Sequence, residues 1–187
     1  MNLIKVGLDI YQSEISVSFH KFLLDQYEHH LEEYTQLYQN ENYWGGRDFE
    51  FVKPEFKDYL QEQLQRHVRE YIGNNNLKLF KQWINIQAHD GFLPVHDHYG
   101  FLSYVIYLKV PPYRENYENK RMNQIGYVEG AIQFHYGYPT SMSSPFTLVH
   151  PTERMILIFP AELMHYVYPF KDSSSLRISI SGNFVKE

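Results

Sequence analysis

The spacing of apolar positions along the chain changes near residue 77. Before it, Phe22, Leu23, Gln26, Tyr27, His30, Leu31, Tyr34, Leu37 and Tyr38 recur three and four apart, which predicts an amphipathic helix over residues 18–40. A second helix is predicted after Pro54, with Phe56, Leu60, Leu64, Val68 and Tyr71 or Ile72 as its apolar stripe and Gly73 as its stop. The first residues alternate in places (Leu3, Ile4, Val6 and Leu8, then Ile15, Val17 and Phe19), which predicts short strands. WGGRDFEF, residues 44–51, reads as a loop.

After residue 77 the period shortens. LKLFKQWINIQ, FLSYVIYLKV, GAIQFHYG, RMILIFP, LMHYVYPF and LRISISGNF are short, rich in β-branched and aromatic residues, and bounded by Gly, Pro, Asn or Ser. Several such strands in sequence predict a sandwich or barrel. The expected organisation is a single domain over residues 1–187, with strands and supporting helices in 1–76 and an all-β core in 77–187. The longest polar connection, residues 111–130, is a candidate lid or binding loop. Its charges nearly balance, so it declares no charged partner.

Composition narrows the class. Tyrosine is the outlier, at 17 residues beside 13 phenylalanines, and supplies burial that disordered chains lack. The formal charge of −5 gives no basic surplus for gripping nucleic acid. The absence of cysteine excludes disulfides and thiolate metal sites. The N-terminus does not read as a signal peptide, and no apolar run approaches a membrane span. The expectation is a soluble cytoplasmic protein with no membrane or nucleic-acid partner.

PVHDHYG, residues 94–100, carries the first candidate chemistry. On an extended strand His96 and His98 point the same way while Asp97 points away, so the two imidazoles suit one metal ion. A third ligand must come from elsewhere. His165 is the candidate, because it follows the buried-looking strand RMILIFP and opens MHYVYPF. His29, His30 and His67 fall on the predicted helices, away from the β body. His89 and His150 read as loop positions, and His135 ends GAIQFHYG. In LRISISGN, Leu176, Ile178 and Ile180 alternate with Arg177, Ser179 and Ser181. An arginine and serines on the face away from the apolar one suit an anion, since the guanidinium fork matches a carboxylate. The short connection KDSSS suggests that His165 and Arg177 lie on adjacent antiparallel strands facing one cavity.

This order of parts, His-x-His, a distant His, then Arg-x-Ser, resembles the Fe(II)/2-oxoglutarate-dependent oxygenases. Within them it is most similar to a small prolyl-hydroxylase-like branch common among phage and bacterial proteins. The resemblance runs from WINIQ through PVHDHYGFLSYVIYLKVP, GAIQF and FPAELMHYVYPF to LRISISGNF, roughly residues 80–184. It implies a double-stranded β-helix (jelly roll) buttressed by helices, and a hydroxylase using Fe(II), 2-oxoglutarate and O2, with ascorbate a candidate reductant. It implies His96 and His165 as iron ligands. It implies Arg177 as the holder of the distal carboxylate of 2-oxoglutarate, assisted by Ser179, with Tyr107 and Asn85 as further contacts. A peptide or protein side chain such as proline is the first substrate it suggests, with a small molecule as the other class.

Two departures stand out. Most of the superfamily has a carboxylate where this chain has His98, so a three-histidine site is implied here, with Asp97 orienting a histidine. The alternative is a bulge that turns Asp97 inward as the ligand. In PTERMILIFP, related chains often carry glycine near Glu153 or Arg154. Two other readings remain open: a three-histidine dioxygenase that does not use 2-oxoglutarate, and a non-catalytic jelly-roll or cupin-like binding module.

Overall fold

The computed structural model describes residues 9–32, 56–73, 76–112, 128–138, 144–171 and 174–186. The central part of the candidate lid, the strand positions before residue 9, and Tyr34, Leu37, Tyr38 and the WGGRDFEF loop lie outside them.

Two helices cover one sheet. Helix α1 (Val17–His29) begins at Ser16, whose Oγ accepts the Phe19 N–H at 3.2 Å and so caps one of the otherwise unbonded first-turn amides. Helix α2 (Lys57–Ile72) ends at Gly73, whose N–H donates to the Arg69 carbonyl at 2.9 Å. Their buried stripes, Phe19–Leu23–Tyr27 and Leu60–Leu64–Val68, each step by four residues. Burying each large apolar side chain contributes about 1.5–3 kcal/mol relative to exposure. Val17 and Phe19 belong to α1, not to a strand as their alternation suggests; the Ser16 cap starts the helix there.

The sheet under the helices has five strands: β1 (Tyr11–Glu14), β2 (Leu77–Gln87), β4 (Leu102–Lys109), β7 (Met155–Pro160) and β9 (Arg177–Lys186), in the order β1-β7-β4-β9-β2. A second sheet contains β3 (Leu93–His96), β5 (Ile132–His135), β6 (Phe146–Val149) and β8 (His165–Val167), in the order β3-β8-β5-β6. All of these pairings are antiparallel. From β2 onward the chain passes back and forth between the sheets, apart from the β5–β6 pair within the small one, which is the double-stranded β-helix expected.

Alternation on each strand of the large sheet divides two cores. Ile84, Ile106, Ile156, Ile158, Ile178, Ile180 and Phe184 pack with the helix stripes. Val105, Tyr107, Leu157 and Phe159 face the small sheet and meet Ile132, Phe134 and Val167. On β9 the inner face is polar: Arg177, Ser179, Ser181 and Asn183 are all buried there.

One expectation needs correction. His165 and Arg177 do not sit on adjacent strands: β8 lies in the small sheet and β9 in the large one, so the two residues face the cavity from opposite walls. The short link between β8 and β9 crosses between sheets instead of turning a hairpin. In the stretch around Glu153 and Arg154, where related chains often carry glycine, Arg154 takes φ 70. Its side chain donates to Glu14 Oε2 at 2.5 Å, a contact that a glycine would not make. No helix of the described residues is long and apolar enough to cross a membrane.

Candidate active site

Three imidazoles converge at one end of the space between the sheets. One ligand atom from each of His96, His98 and His165 lies within 4.8 Å of the others. His96 ends β3 and pairs in register with His165 at the start of β8, which brings their rings to 4.3 Å between centroids. His98 reaches the cluster by another route. β3 stops at His96, so strand parity does not orient His98; the loop after it does. The His98 N–H donates to the Ala161 carbonyl at 2.9 Å, and the Phe101 N–H donates to the Phe184 carbonyl at 2.7 Å. Gly100, at φ 140, permits this close path: a Cβ there would stand 2.9 Å from the Phe184 carbonyl oxygen.

Backbone carbonyls set the tautomers. His96 Nδ1 lies 2.6 Å from the Pro94 carbonyl, and His165 Nδ1 lies 2.8 Å from the Leu163 carbonyl. A carbonyl only accepts, so each Nδ1 carries the proton and each Nε2 of the neutral ring keeps its lone pair for a metal. For His98 and His165 neutrality follows from the surroundings. Burial pushes His165 down to about 3, helped by the two neighbouring histidines against the Leu163 hydrogen bond. Burial, then His96, pushes His98 down to about 4, against the opposing pull of Asp97. Phe159, Phe134 and Trp83 wall the cluster, with centroids 5.0 and 5.8 Å from His165 and 5.2 Å from His98 respectively. Asp97 is exposed and outside the cluster. It makes no hydrogen bond to a histidine among the described residues; the carbonyls do the orienting. This donor set, three neutral nitrogens, fits a divalent transition metal such as Fe(II).

From the histidines the cavity runs along β9 to Arg177. Its volume is about 500 Å3. Three strands present their inner side chains in rows. Trp83, Ser181 and Val105 form one row, Asn85, Ser179 and Tyr107 the next, and Gln87 and Arg177 the last. Two residues along a strand span roughly 6–7 Å, so Ser181 and Arg177 stand about 13 Å apart. Asn85 Nδ2 donates to Ser181 Oγ at 2.9 Å. Tyr107 is fully enclosed. Burial holds its phenol up at about 12 despite the Arg177 charge, so it stays a neutral O–H at any ordinary pH.

Arg177 is 3% exposed. One guanidinium nitrogen donates to the Gly130 carbonyl at 2.5 Å, another donates to Gln87 Oε1, and the cation stands over the Phe170 ring at 5.8 Å. Gln87 and the Gly130 carbonyl are parts of the site that sequence reasoning missed. Gln87 was legible in principle, being in phase with Asn85 on β2. The Gly130 carbonyl was not, because a backbone group carries no sequence mark. The remaining histidines lie elsewhere: His135 faces out from the small sheet and pairs with Gln133 at 3.0 Å, His67 bonds Tyr11, and His20 bonds the Leu108 carbonyl.

The arrangement, two facing antiparallel sheets with a three-histidine cluster and a buried arginine along one cavity, is that of a metal-dependent enzyme of the double-stranded β-helix class. The model of the family described as "Putative 2OG-Fe(II) oxygenase" matches residues 81–183, more than half of the chain, and the chain belongs to this family. Fe(II) and 2-oxoglutarate are the metal and cosubstrate that define it. No curated protein matches the chain in sequence. Among solved structures it is similar to a Pseudomonas putida prolyl-4-hydroxylase, with TM-score 0.58 and 13% identity over 96% of this chain and 94% of that one. It is also similar to SnoK, a non-heme alpha-ketoglutarate-dependent carbocyclase from nogalamycin biosynthesis, with TM-score 0.64 and 13% identity over 96% and 80%. A third is a 2OG-Fe(II) oxygenase family oxidoreductase from Burkholderia pseudomallei, with TM-score 0.52 and 15% identity over 72% of this chain and 59% of that one. At these identities the likeness is one of fold.

Proposed function

We propose that the chain is an Fe(II)- and 2-oxoglutarate-dependent dioxygenase that hydroxylates a side chain on a peptide or protein. The observation that carries the reading is the pairing of two parts in one cavity. Histidines stand at one end, and the buried Arg177 guanidinium lines the same cavity further along β9. In this reading His96, His98 and His165 hold the iron and Arg177 receives the distal carboxylate of 2-oxoglutarate.

Bound iron would supply the redox chemistry that couples 2-oxoglutarate and O2 to substrate oxidation, giving succinate, CO2 and a hydroxylated product. The chain's own residues position and shield. The Pro94 and Leu163 carbonyls keep the histidines in the ligating tautomer. Ser179 and Tyr107, level with each other on adjacent strands, offer hydroxyl donors between metal and clamp. Phe134, Phe159 and Trp83 keep the metal end dry, which strengthens every charge interaction there.

The substrate side is the opposite end of the cavity, beyond His98. There Phe80 and Tyr99 are exposed and meet edge to face at 6.1 Å. Aromatic faces beside an open mouth suit a chain segment laid across it. This supports a peptide, with proline as the first side chain to try, over a small molecule enclosed whole.

The test is anaerobic titration of Fe(II)-loaded protein with 2-oxoglutarate, reading the visible metal-to-ligand charge-transfer band of a chelated 2-oxo acid. A band that is lost in Arg177→Ala and His165→Ala supports the reading. Tight iron binding without a band refutes 2-oxoglutarate use, and absence of iron binding refutes the enzyme.

A further inference from the structure

The polar inner face of β9 continues past the cosubstrate rows. Asn183 pairs in register with Lys81 on β2 and Ser103 on β4, one row beyond Trp83, Ser181 and Val105 and on the side away from Arg177. It is 5% exposed and lines the cavity. Ser103 Oγ donates to Asn183 Oδ1 at 2.8 Å. That bond fixes which way the amide points. Ser103 is 1% exposed and its hydroxyl has no other hydrogen bond among the described residues, so a flipped amide would leave a buried hydroxyl proton without an acceptor. Asn183 Nδ2 is thus turned away from Ser103. It bonds nothing among the described residues and is not sealed from the open space that Asn183 lines. Backbone ties this amide to the metal end. The Phe101 N–H donates to the carbonyl of Phe184, the residue after Asn183, and a Cβ on Gly100 would stand 3.3 Å from Asn183 Cβ. The loop that delivers His98 therefore closes directly on Asn183.

We propose that Asn183 is a substrate-binding residue whose side-chain N–H donates to a peptide carbonyl of the segment that is oxidised. This inference rests on the peptide reading given above and names the group by which the peptide is held. An amide N–H in a cavity that closes on its ligand must find its acceptor on that ligand, or its desolvation goes uncompensated. A peptide carbonyl is such an acceptor, and it brings no charge. Every residue of a segment offers one at a fixed offset from its side chain. Because Asn183 is tied to the His98 loop, a carbonyl held there sets which side chain along the segment comes to the metal. Phe80 and Tyr99 open the cavity at the same end, so a segment laid across them passes Asn183. Ser103 acts through Asn183: it holds the amide oxygen and so aims the N–H.

The experiment uses protein loaded with Zn(II) and 2-oxoglutarate, a diamagnetic and redox-inert form. The probes are N-acetyl-L-proline N-methylamide, its analogue with both carbonyl oxygens replaced by sulfur (a much weaker acceptor), and N-acetyl-L-proline with its free carboxylate. Binding is read from the indole NMR signal of Trp83, which lines the cavity with its ring centroid 5.2 Å from that of His98; Trp44→Phe identifies the signal. Wild type should bind the oxygen probe about three- to tenfold more tightly than the sulfur probe. Asn183→Asp keeps the acceptor for Ser103 and replaces only the NH2; it should erase the preference to within about twofold and leave sulfur-probe and 2-oxoglutarate binding near wild type. Asn183→Ala should do the same and serves if the aspartate variant does not fold. Ser103→Ala should lower the preference part of the way. A preference that survives both Asn183 variants overturns the proposal. Equal losses for the oxygen and sulfur probes mean a merely structural role and overturn it too. Tighter binding of the free acid than of the methylamide, lost in the same variants, identifies a carboxylate ligand and overturns the peptide carbonyl. A wild type that binds the oxygen and sulfur probes equally overturns this inference and leaves the peptide reading standing. A wild type that retains 2-oxoglutarate and binds none of the probes overturns both.

Discussion

Substituting Gly182 by alanine isolates what holds the two halves of the cosubstrate site together. Gly182 lies at the middle of β9, level with Gln82 on β2 and Tyr104 on β4. A Cβ there would stand 2.4 Å from the Lys81 carbonyl oxygen, 2.7 Å from Tyr104 Cε1 and 2.8 Å from the Tyr104 hydroxyl. The nearest atom is backbone, in a strand bonded to β9 along its length, so no rotamer change relieves it. β2 and β9 must separate by about 1 Å to reach ordinary contact. Overpacking of this kind costs roughly 1–3 kcal/mol, and the backbone contact places Gly182→Ala near 3. At this chain length each kcal/mol lowers Tm by about 2–4 °C, so a fall of about 6–12 °C is expected in thermal and urea unfolding of the metal-free protein. Adding Tyr104→Phe removes the hydroxyl contact but not the carbonyl, and should recover less than about 1 kcal/mol. The same separation moves Ser181 and Arg177 away from Asn85 and Gln87, while the histidines come from the small sheet and the loop after it. 2-Oxoglutarate affinity should therefore fall more than metal affinity. A variant within about 0.5 kcal/mol of wild type, or complete rescue by Tyr104→Phe, would refute the steric reasoning.

Other outcomes follow from the same geometry. His165→Ala should weaken metal binding, read by competition with a chelator, by more than the roughly 10–100-fold typical of losing a group that only orients a ligand, whereas His135→Ala should leave it unchanged. Arg177→Met should weaken 2-oxoglutarate binding by about 2–5 kcal/mol, roughly 30- to 4,000-fold. It should also destabilise the fold by about 1–3 kcal/mol, because the Gly130 carbonyl and Gln87 amide lose their donor. Burial holds His67 below its ordinary value against the pull of Glu70, so protonation favours the unfolded chain. The stability of wild type relative to His67→Gln should thus be greatest above pH 6.5 and decline as pH falls below it; a flat difference in urea unfolding from pH 7.5 to 5.5 would contradict this.

Much of the site was legible because its residues lie on elements with a clear period. The alternation of LRISISGN places Arg177 and Ser179 opposite Ile178 and Ile180, and the cavity walls bear that out. His165 stood apart because it opens a strand after one that is wholly apolar. His98 was reached by a partly mistaken route: a strand was assumed to continue through it, but β3 ends two residues earlier and a hydrogen bond to Ala161 does the positioning. β6 (Phe146–Val149) carried no pattern to read, since four residues with intermediate exposure throughout show no alternation.

By itself the sequence determined which faces are apolar. Period is a local property, and the stripes Leu60–Leu64–Val68 and Ile178–Ile180 can each be satisfied only by burial. It also determined which side chains the site can draw on, His96, His98, His165 and Arg177 among them, in a chain without cysteine. Only the tertiary structure decided which sheet each strand joins, and so that His165 and Arg177 meet across a cavity instead of side by side. Pairing between strands is made by backbone groups that are the same at every residue, so the choice depends on the burial of the whole set at once. The Pro94, Leu163 and Gly130 carbonyls that orient the histidines and the arginine belong to the same category: they act through backbone, and only the fold brings them to the side chains they hold.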